Sequence, residues 1–239
     1  MLSNKQRKQI VQLSQKKYRE QERLFVAEGD KIVLSLIRAG FQYQHLFSTK
    51  PYTDIDAVLI DSSLMQKISH FKNASSILGV FHFPQARIPS SHGTVIAVDS
   101  IRDPGNLGTI IRICDWFGLN QLICSETTVD CFNPKVIQAT MGSIARVSCV
   151  YVNLSTFLLK SDKKVYGAAL GGSSLYEASL DSNSIMIFGN ESHGISDDIV
   201  PFINQKLSIP RFREHSEPES LNVATATAIF ISEMFRKSS

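Results

Sequence analysis

T-V-I-A-V-D-S-I-R-D-P-G-N-L-G-T-I-I-R, residues 94–112, decides the fold. Its first part, Thr94–Ser100, is a short and nearly unbroken apolar run, as expected of a strand covered on both faces, the habit of parallel sheets. D-P-G-N at Asp103–Asn106 then reads as a sharp turn, and Leu107–Phe117 as a helix stopped by Gly118. In the turn, Pro104 and Gly105 bend the backbone, Asn106 is placed to cap the helix, and Gly108 permits close backbone approach. A further strand is predicted at Gln121–Ser125, so strand, turn, helix and strand follow one another as in an α/β protein. Toward the C-terminus, Asn133 before Pro134 is an N-cap with proline at the first helical position, opening a helix toward Met141. Strands are expected at Lys164–Leu170, Ile185–Gly189 and Lys206–Ile209, and a last helix from about Ser220 to Phe235. The alternation predicts a mostly parallel sheet with helices on both faces.

Toward the N-terminus the pattern is also α/β, but on a smaller scale. Leu2–Lys17, with Ile10, Val11 and Leu13 among polar residues, reads as a short amphipathic helix, and Lys17–Asp30 turns apolar. A helix over Asp30–Ala39 closes on Gly40. Strands follow at Tyr43–Ser48 and Ala57–Ile60, a helix at Ser62–Ser69 and a strand at Ser76–Phe83. P-Q-A-R-I-P-S-S-H-G, residues 84–93, carries two prolines and little periodicity and reads as a linker. The expected division is residues 1–88 and 89–239, and a chain of 239 residues has room for two such domains.

Composition excludes several classes. Hydrophobic residues are 43% and charged residues 20%, ordinary for a globular chain and unlike a disordered, collagenous or coiled-coil one. No apolar run approaches the ~18 residues of a membrane-spanning helix, and the first residues are too charged for a signal peptide, so a cytoplasmic protein without a membrane partner is expected. Cys114, Cys124, Cys131 and Cys149 show neither a C-x-x-C pair nor a histidine at finger spacing, which predicts reduced thiols and no metal. The net charge of +3 is uneven: residues 1–40 hold nine cations against four acids, a net +5, leaving −2 for the rest. Lys16, Lys17 and Arg19 lie in this basic front and are candidate contacts to RNA; charge alone equally allows a solvated helix face.

In an open parallel sheet, ligands bind beyond the carboxyl ends of the strands. Three loops there draw attention: Asp99–Arg112; Ile185–Ser196, where a buried strand runs into G-N-E-S-H-G; and Leu207–Phe230, where Ser220 precedes a helix rich in alanine and threonine. The first lacks the G-x-G-x-x-G of dinucleotide loops and the G-K-S/T of P-loops, which sets a nicotinamide-dependent oxidoreductase far behind. His193 alone is a weak signal. A hydrolase built on Ser220 and His215 lacks the G-x-S-x-G elbow, and Ser220 taken alone reads as an N-cap.

Together, in this order, the three loops resemble the SpoU/TrmH family of RNA ribose 2′-O-methyltransferases, part of the SPOUT superfamily. The motifs are N-L-G-T-I-I-R (Asn106–Arg112), F-G-N-E-S-H-G-I (Phe188–Ile195), and I-P-R-F followed by S-L-N-V-A (Ser220–Ala224). Lys17–Asp30, with K-Y-R, Phe25 and Glu28–Gly29, is similar to the substrate-binding domain that precedes the catalytic domain in members acting on ribosomal RNA. The resemblance implies an α/β fold: a C-terminal SPOUT domain with a deep trefoil knot, after a small α/β substrate-binding domain. It also implies a homodimer and S-adenosylmethionine as cofactor.

By the same resemblance, Gly189, Ile209 and Leu221 hold the cofactor through backbone groups, with Leu170, Phe188 and Asn190 as neighbours. Arg112 corresponds to the arginine proposed to activate the 2′-hydroxyl, and Asn106, Glu191, Ser220 and Asn222 to its supporting polar residues. Because an arginine pKa exceeds about 12, Arg112 is better read as binding the adjoining phosphate and stabilising charge on the 2′-oxygen. The third motif departs from the family: R-F-R-E-H-S-E-P-E separates Pro210 from Ser220, longer than usual and without the glycine, so Arg211, Arg213 and His215 become candidate RNA contacts. Large-subunit ribosomal RNA is the favoured substrate. Transfer RNA is the alternative within this class, and a non-catalytic RNA-binding or assembly factor the alternative outside it.

Overall fold

The computed structural model describes residues 2–89, 93–212 and 220–238, so Arg213 and His215 lie outside the described residues. In chain order the elements are α1 (Asn4–Gln12), α2 (Lys16–Glu22), β1 (Leu24–Glu28), α3 (Asp30–Arg38), β2 (Tyr43–Ser48), β3 (Val58–Leu59), α4 (Ser62–Ile68) and β4 (Ile77–His82). Next come β5 (Val95–Val98), α5 (Pro104–Trp116), β6 (Gln121–Ser125), α6 (Pro134–Thr140), β7 (Ser148–Val152), α7 (Leu154–Leu159), β8 (Lys164–Ser174), β9 (Ser184–Phe188), β10 (Gln205–Ser208) and α8 (Val223–Ser238). The chain divides into two compact units. One contains the residues up to Ala86 together with Asp130–Arg146; the other contains Arg87–Val129 and the chain from Val147 onward. The helix that begins at Pro134 thus groups with the first unit, although a reading along the chain places it in the second.

The first unit holds a four-stranded sheet in the order β1-β4-β2-β3, antiparallel except where β2 meets β3. Ile10, Leu13, Val26, Phe47, Met65 and Leu78 are buried in its core. The single N-terminal helix predicted over Leu2–Lys17 is two helices. α1 starts on a capping box, with Ser3 and Gln6 each bonding the other's backbone, and stops at Leu13, while Gln15 is extended and opens α2. The carbonyls of Leu13 and Ser14 that this break releases are both taken by Arg19 Nη1, at 2.9 Å each.

The second unit is a six-stranded, wholly parallel sheet in the order β10-β8-β9-β5-β6-β7. β5 and β9 are buried throughout, as their uninterrupted apolar sequences require. From β5 the chain moves outward one way through β6 and β7, then returns to the other side through β8 and β9, so strand order reverses between β5 and β9. A crevice for ligands opens at the carboxyl ends of such a pair. Two helix starts differ from the sequence reading. Asp103, not Asn106, caps α5, accepting from Asn106 N at 2.8 Å, with Pro104 at the first position. Asn222, not Ser220, caps α8, its Oδ1 accepting from Ala224 N and Thr225 N. β7 and α7 carry no strong sequence signal: β7 is a half-exposed edge strand, and α7 is six residues long.

None of the four cysteines forms a disulfide. Among the described residues no helix is long and apolar enough to cross a membrane.

Candidate active site

The loops after β5 and β9 meet at the reversal of strand order and are tied together by side chains. Asp99, at the end of β5, is buried; its Oδ2 accepts from Ser196 N at 2.8 Å and Ser196 Oγ at 2.5 Å. Ser100 adopts a left-handed φ of 59°, a costly conformation for a residue with a side chain, and its backbone is held on both sides. Its N–H donates to Ser125 Oγ at 2.8 Å, and its carbonyl accepts from Asn190 Nδ2 at 2.7 Å. Asn190 Oδ1 in turn accepts from Ser192 N and His193 N. Asn190 and Gly194 exchange two backbone bonds of 2.8 and 2.9 Å, closing a small ring around Glu191. Gly189 lies so close to this ring that a Cβ there would sit 2.1 Å from Gly194 C and 2.2 Å from Ile195 N. Only glycine fits.

Onto this frame the structure brings three of the five expected catalytic residues. Asn106, in the first turn of α5, donates through Nδ2 to Glu191 Oε1 at 2.8 Å and accepts at Oδ1 from Asn222 Nδ2 at 2.8 Å. Both ends of its amide are thereby assigned, one to an acceptor and the other to a donor. Asp103 N also approaches Glu191 Oε1, at 3.4 Å. Residues far apart in sequence thus form one hydrogen-bonded chain across the ends of β5, β9 and α8. Arg112 and Ser220 do not join it. Arg112 is exposed and its side chain makes no hydrogen bond or ion pair with a described residue; six positions beyond Asn106, it lies about 9 Å along α5 and about 120° around it. Ser220 is exposed and makes no hydrogen bond with a described residue.

Of the expected cofactor residues, Leu170, within β8, is 68% and Leu221, just before α8, 52% exposed, both large apolar side chains, while Ile209 is half-buried. Phe188 differs: its ring is 1% exposed, packed edge-on against Phe230 at 5.6 Å, and its carbonyl accepts from Asp99 N. It supports the loop from beneath and shows no ring to a ligand. Leu170 lies in a bulge of the β8–β10 pairing, where the partner of Lys206 is Gly167 and that of Leu207 is Ser173. At Gly172 a Cβ would come within 2.7 Å of the Lys206 and Leu207 backbones. Asp99 and Ser196 carry no role in the sequence reading, although an acid closing an apolar strand is a visible signal.

In the first unit, Lys16 and Lys17 are exposed, Lys16 pairing with Glu20 at 3.6 Å. Arg19 corrects the sequence expectation. It is 1% exposed, its Nε and Nη2 donate to Asp130 Oδ2 at 2.9 and 2.5 Å, and its remaining contacts are the carbonyls of α1's end. A guanidinium with its donors so committed inside the unit does not bind phosphate from solvent.

Comparison with known proteins agrees with this geometry. Residues 93–232 match the SpoU rRNA Methylase family, and residues 4–79 the MRM3-like substrate binding domain. The Bacillus subtilis protein named 23S rRNA (guanosine(2553)-2′-O)-methyltransferase RlmP is 29% identical over 95% of each chain. A TrmH-family structure from Porphyromonas gingivalis has 35% identity and a TM-score of 0.89, covering 99% of both chains. An AdoMet-bound rRNA methyltransferase from Sinorhizobium meliloti has 28% identity and a TM-score of 0.85, covering 99% of this chain and 96% of its own. With the family match spanning more than half its length and the motif residues gathered at one strand-order reversal, the chain belongs to the SpoU rRNA methylase family.

Proposed function

We propose that this protein transfers a methyl group from S-adenosylmethionine to a ribose 2′-hydroxyl of large-subunit, 23S ribosomal RNA. The observation that carries the reading is the Asn222–Asn106–Glu191 chain anchored beside the glycine-closed ring of residues 189–194.

The residues present fit the cofactor. Gly189 and Gly172 keep backbone groups close, and Leu170 and Leu221 present apolar surface that no core of this chain covers, a combination suited to a flat, weakly charged adenine. Gly189, Ile209 and Leu221 would hold it through the main chain, with Leu170 as an apolar wall and Asn190 and Phe188 as neighbours. When bound, the cofactor supplies an electrophilic sulfonium methyl. The protein's part is positioning and charge. Glu191 fixes Asn106, so that Asn106 and Asn222 present a rigid polar edge toward the ribose, and Ser220, exposed two positions before Asn222 in sequence, adds a hydroxyl. Arg112 binds the phosphate adjoining the target ribose and stabilises charge on its 2′-oxygen. Its offset around and along α5 from Asn106 supports a homodimer in which Arg112 serves the cofactor held by the second subunit. Membership of the SpoU family supports the trefoil knot in the C-terminal loops. The first unit, with exposed Lys16 and Lys17, binds the RNA, and the protein works in the cytoplasm.

The test is transfer of labelled methyl from S-adenosylmethionine to total ribosomal and transfer RNA from a strain lacking this gene, with Arg112→Ala alongside. One labelled 23S nucleotide, mapped as 2′-O-methyl and lost with the variant, is expected. Label in transfer RNA, or none together with no cofactor binding, overturns the reading.

A further inference from the structure

The first unit carries a groove that the motifs do not account for. It has a volume of about 620 Å³ and is lined by Asn4, Arg7, Lys8, Val11 and Gln12 of α1 and by Lys67 of α4. The α1 positions recur at spacings of three and four, so they form one face of the helix, while Ile10 and Leu13 turn the other face into the core. Arg7, Lys8 and Lys67 are exposed, and none of their side chains has a hydrogen bond or ion pair with a described residue. Three unpaired cations around one concavity raise the local positive potential, which disfavours folding slightly and is tolerated where an anion comes to neutralise it. Val11, 46% exposed, gives the groove an apolar patch, and Asn4 and Gln12 give it neutral donors. No carboxylate lines it.

We propose that this groove between α1 and α4 is the phosphate-binding surface by which the first unit holds RNA: Arg7, Lys8 and Lys67 each neutralise a backbone phosphate, and Val11 packs against ribose between them. This rests on the proposed RNA substrate and goes further by naming the residues that grip it. Exposed lysines on surrounding faces contribute by long-range attraction, whereas the groove's cations make direct contacts. Direct contacts release condensed counterions, so the groove's share appears in the salt dependence of binding: three contacts correspond to a slope of about 2 to 3 in log K against log salt.

The experiment compares the full-length protein with Arg7→Gln/Lys8→Gln/Lys67→Gln. A control, Lys31→Gln/Arg38→Gln/Lys160→Gln, removes the same charge from exposed positions outside the groove. Binding to ribosomal RNA from a strain lacking this gene is titrated across salt, and cofactor affinity is measured by calorimetry. The groove variant is expected to lose about 2 to 3 units of slope and to bind about tenfold or more weakly near 0.1 M salt. The control should stay within about threefold of the parent, and both variants should keep the parent's cofactor affinity. Equal losses of affinity and slope in the two variants would show a diffuse charge effect and overturn the groove. An unchanged groove variant would do the same. A parent that binds no RNA at any salt would overturn the functional reading and the groove with it, whereas an RNA-binding parent whose groove variant is unchanged would overturn the groove alone.

Discussion

Replacing Gly189 by alanine tests the site at its tightest point. An alanine Cβ would stand 2.1 Å from Gly194 C, 2.2 Å from Ile195 N and 2.4 Å from Gly194 O, where ordinary contact begins at 3.4 Å. All three obstacles are backbone, so no rotamer change relieves them, and the 189–195 segment must part by roughly 1.3 Å. A movement of that size stretches the paired bonds between Asn190 and Gly194, now 2.8 and 2.9 Å, beyond bonding range. Two backbone hydrogen bonds at about 0.5–1.5 kcal/mol each make a loss of about 1–3 kcal/mol, or about 2–12 °C in Tm for a chain of this size. The functional loss should be larger than this suggests, because Glu191 sits inside the ring and aims Asn106. A displacement near 1 Å at a positioning residue costs about a hundredfold in rate. Single-turnover methyl transfer, calorimetric titration with S-adenosylmethionine and thermal unfolding read the three effects separately. Turnover within threefold of the parent with unchanged cofactor affinity would refute the reasoning, since the ring would then bear on neither binding nor chemistry.

Arg112→Lys keeps the charge but loses the planar fork, and a fall of about a hundredfold in single-turnover rate is expected, with cofactor affinity unchanged. A near-normal rate would end the case for a specific guanidinium role. Arg19→Met strands Asp130 and two carbonyls inside the first unit, so urea unfolding should show a loss of about 3–5 kcal/mol, most of it recovered when Asp130→Leu is added. A loss below about 1 kcal/mol would mean that the pair is not structural. His70 meets the Ile10 carbonyl through Nε2 at 2.7 Å, so that nitrogen carries the proton, while its buried Nδ1 has no described partner. Burial lowers the pKa of His70 from its ordinary 6.5, partly opposed by the bond to the Ile10 carbonyl, and the nearby Arg19 charge lowers it further. Protonation therefore favours the unfolded chain. The contribution is present above pH 6.5 and declines as pH falls below it toward the depressed folded value, a trend that chemical unfolding at pH 7.5 to 5 should show and His70→Gln should flatten.

How much of this was legible in the chain depends on the range of the interactions involved. Residues 94–112 announce a buried strand, a turn and a helix because apolar runs, prolines and caps act over a few residues, and the Asn133–Pro134 cap is where the pattern places it. Two caps differ from the sequence reading: Asp103, before Pro104, caps α5 in place of Asn106, and Asn222 caps α8 in place of Ser220, because the capping side chain must reach the next two or three N–H groups. The three loops and their order were readable from the residues, and the type of chemistry followed from their resemblance to the SpoU/TrmH family.

Tertiary structure alone decided what those residues do to one another. Asn106 meets Glu191 across 85 positions and Asn222 across 116, contacts set by which strands lie side by side, and strand order is not encoded in any local propensity. The same holds for charge. Arg19 and Lys16 look alike in a basic stretch, yet one is buried against Asp130, 111 positions away, and the other stays in solvent. Arg7, Lys8 and Lys67 line one groove because α1 and α4 come to share a surface. Local chemistry named the parts of this protein, and the non-local packing of two sheets determined which of them face a ligand and which hold the fold.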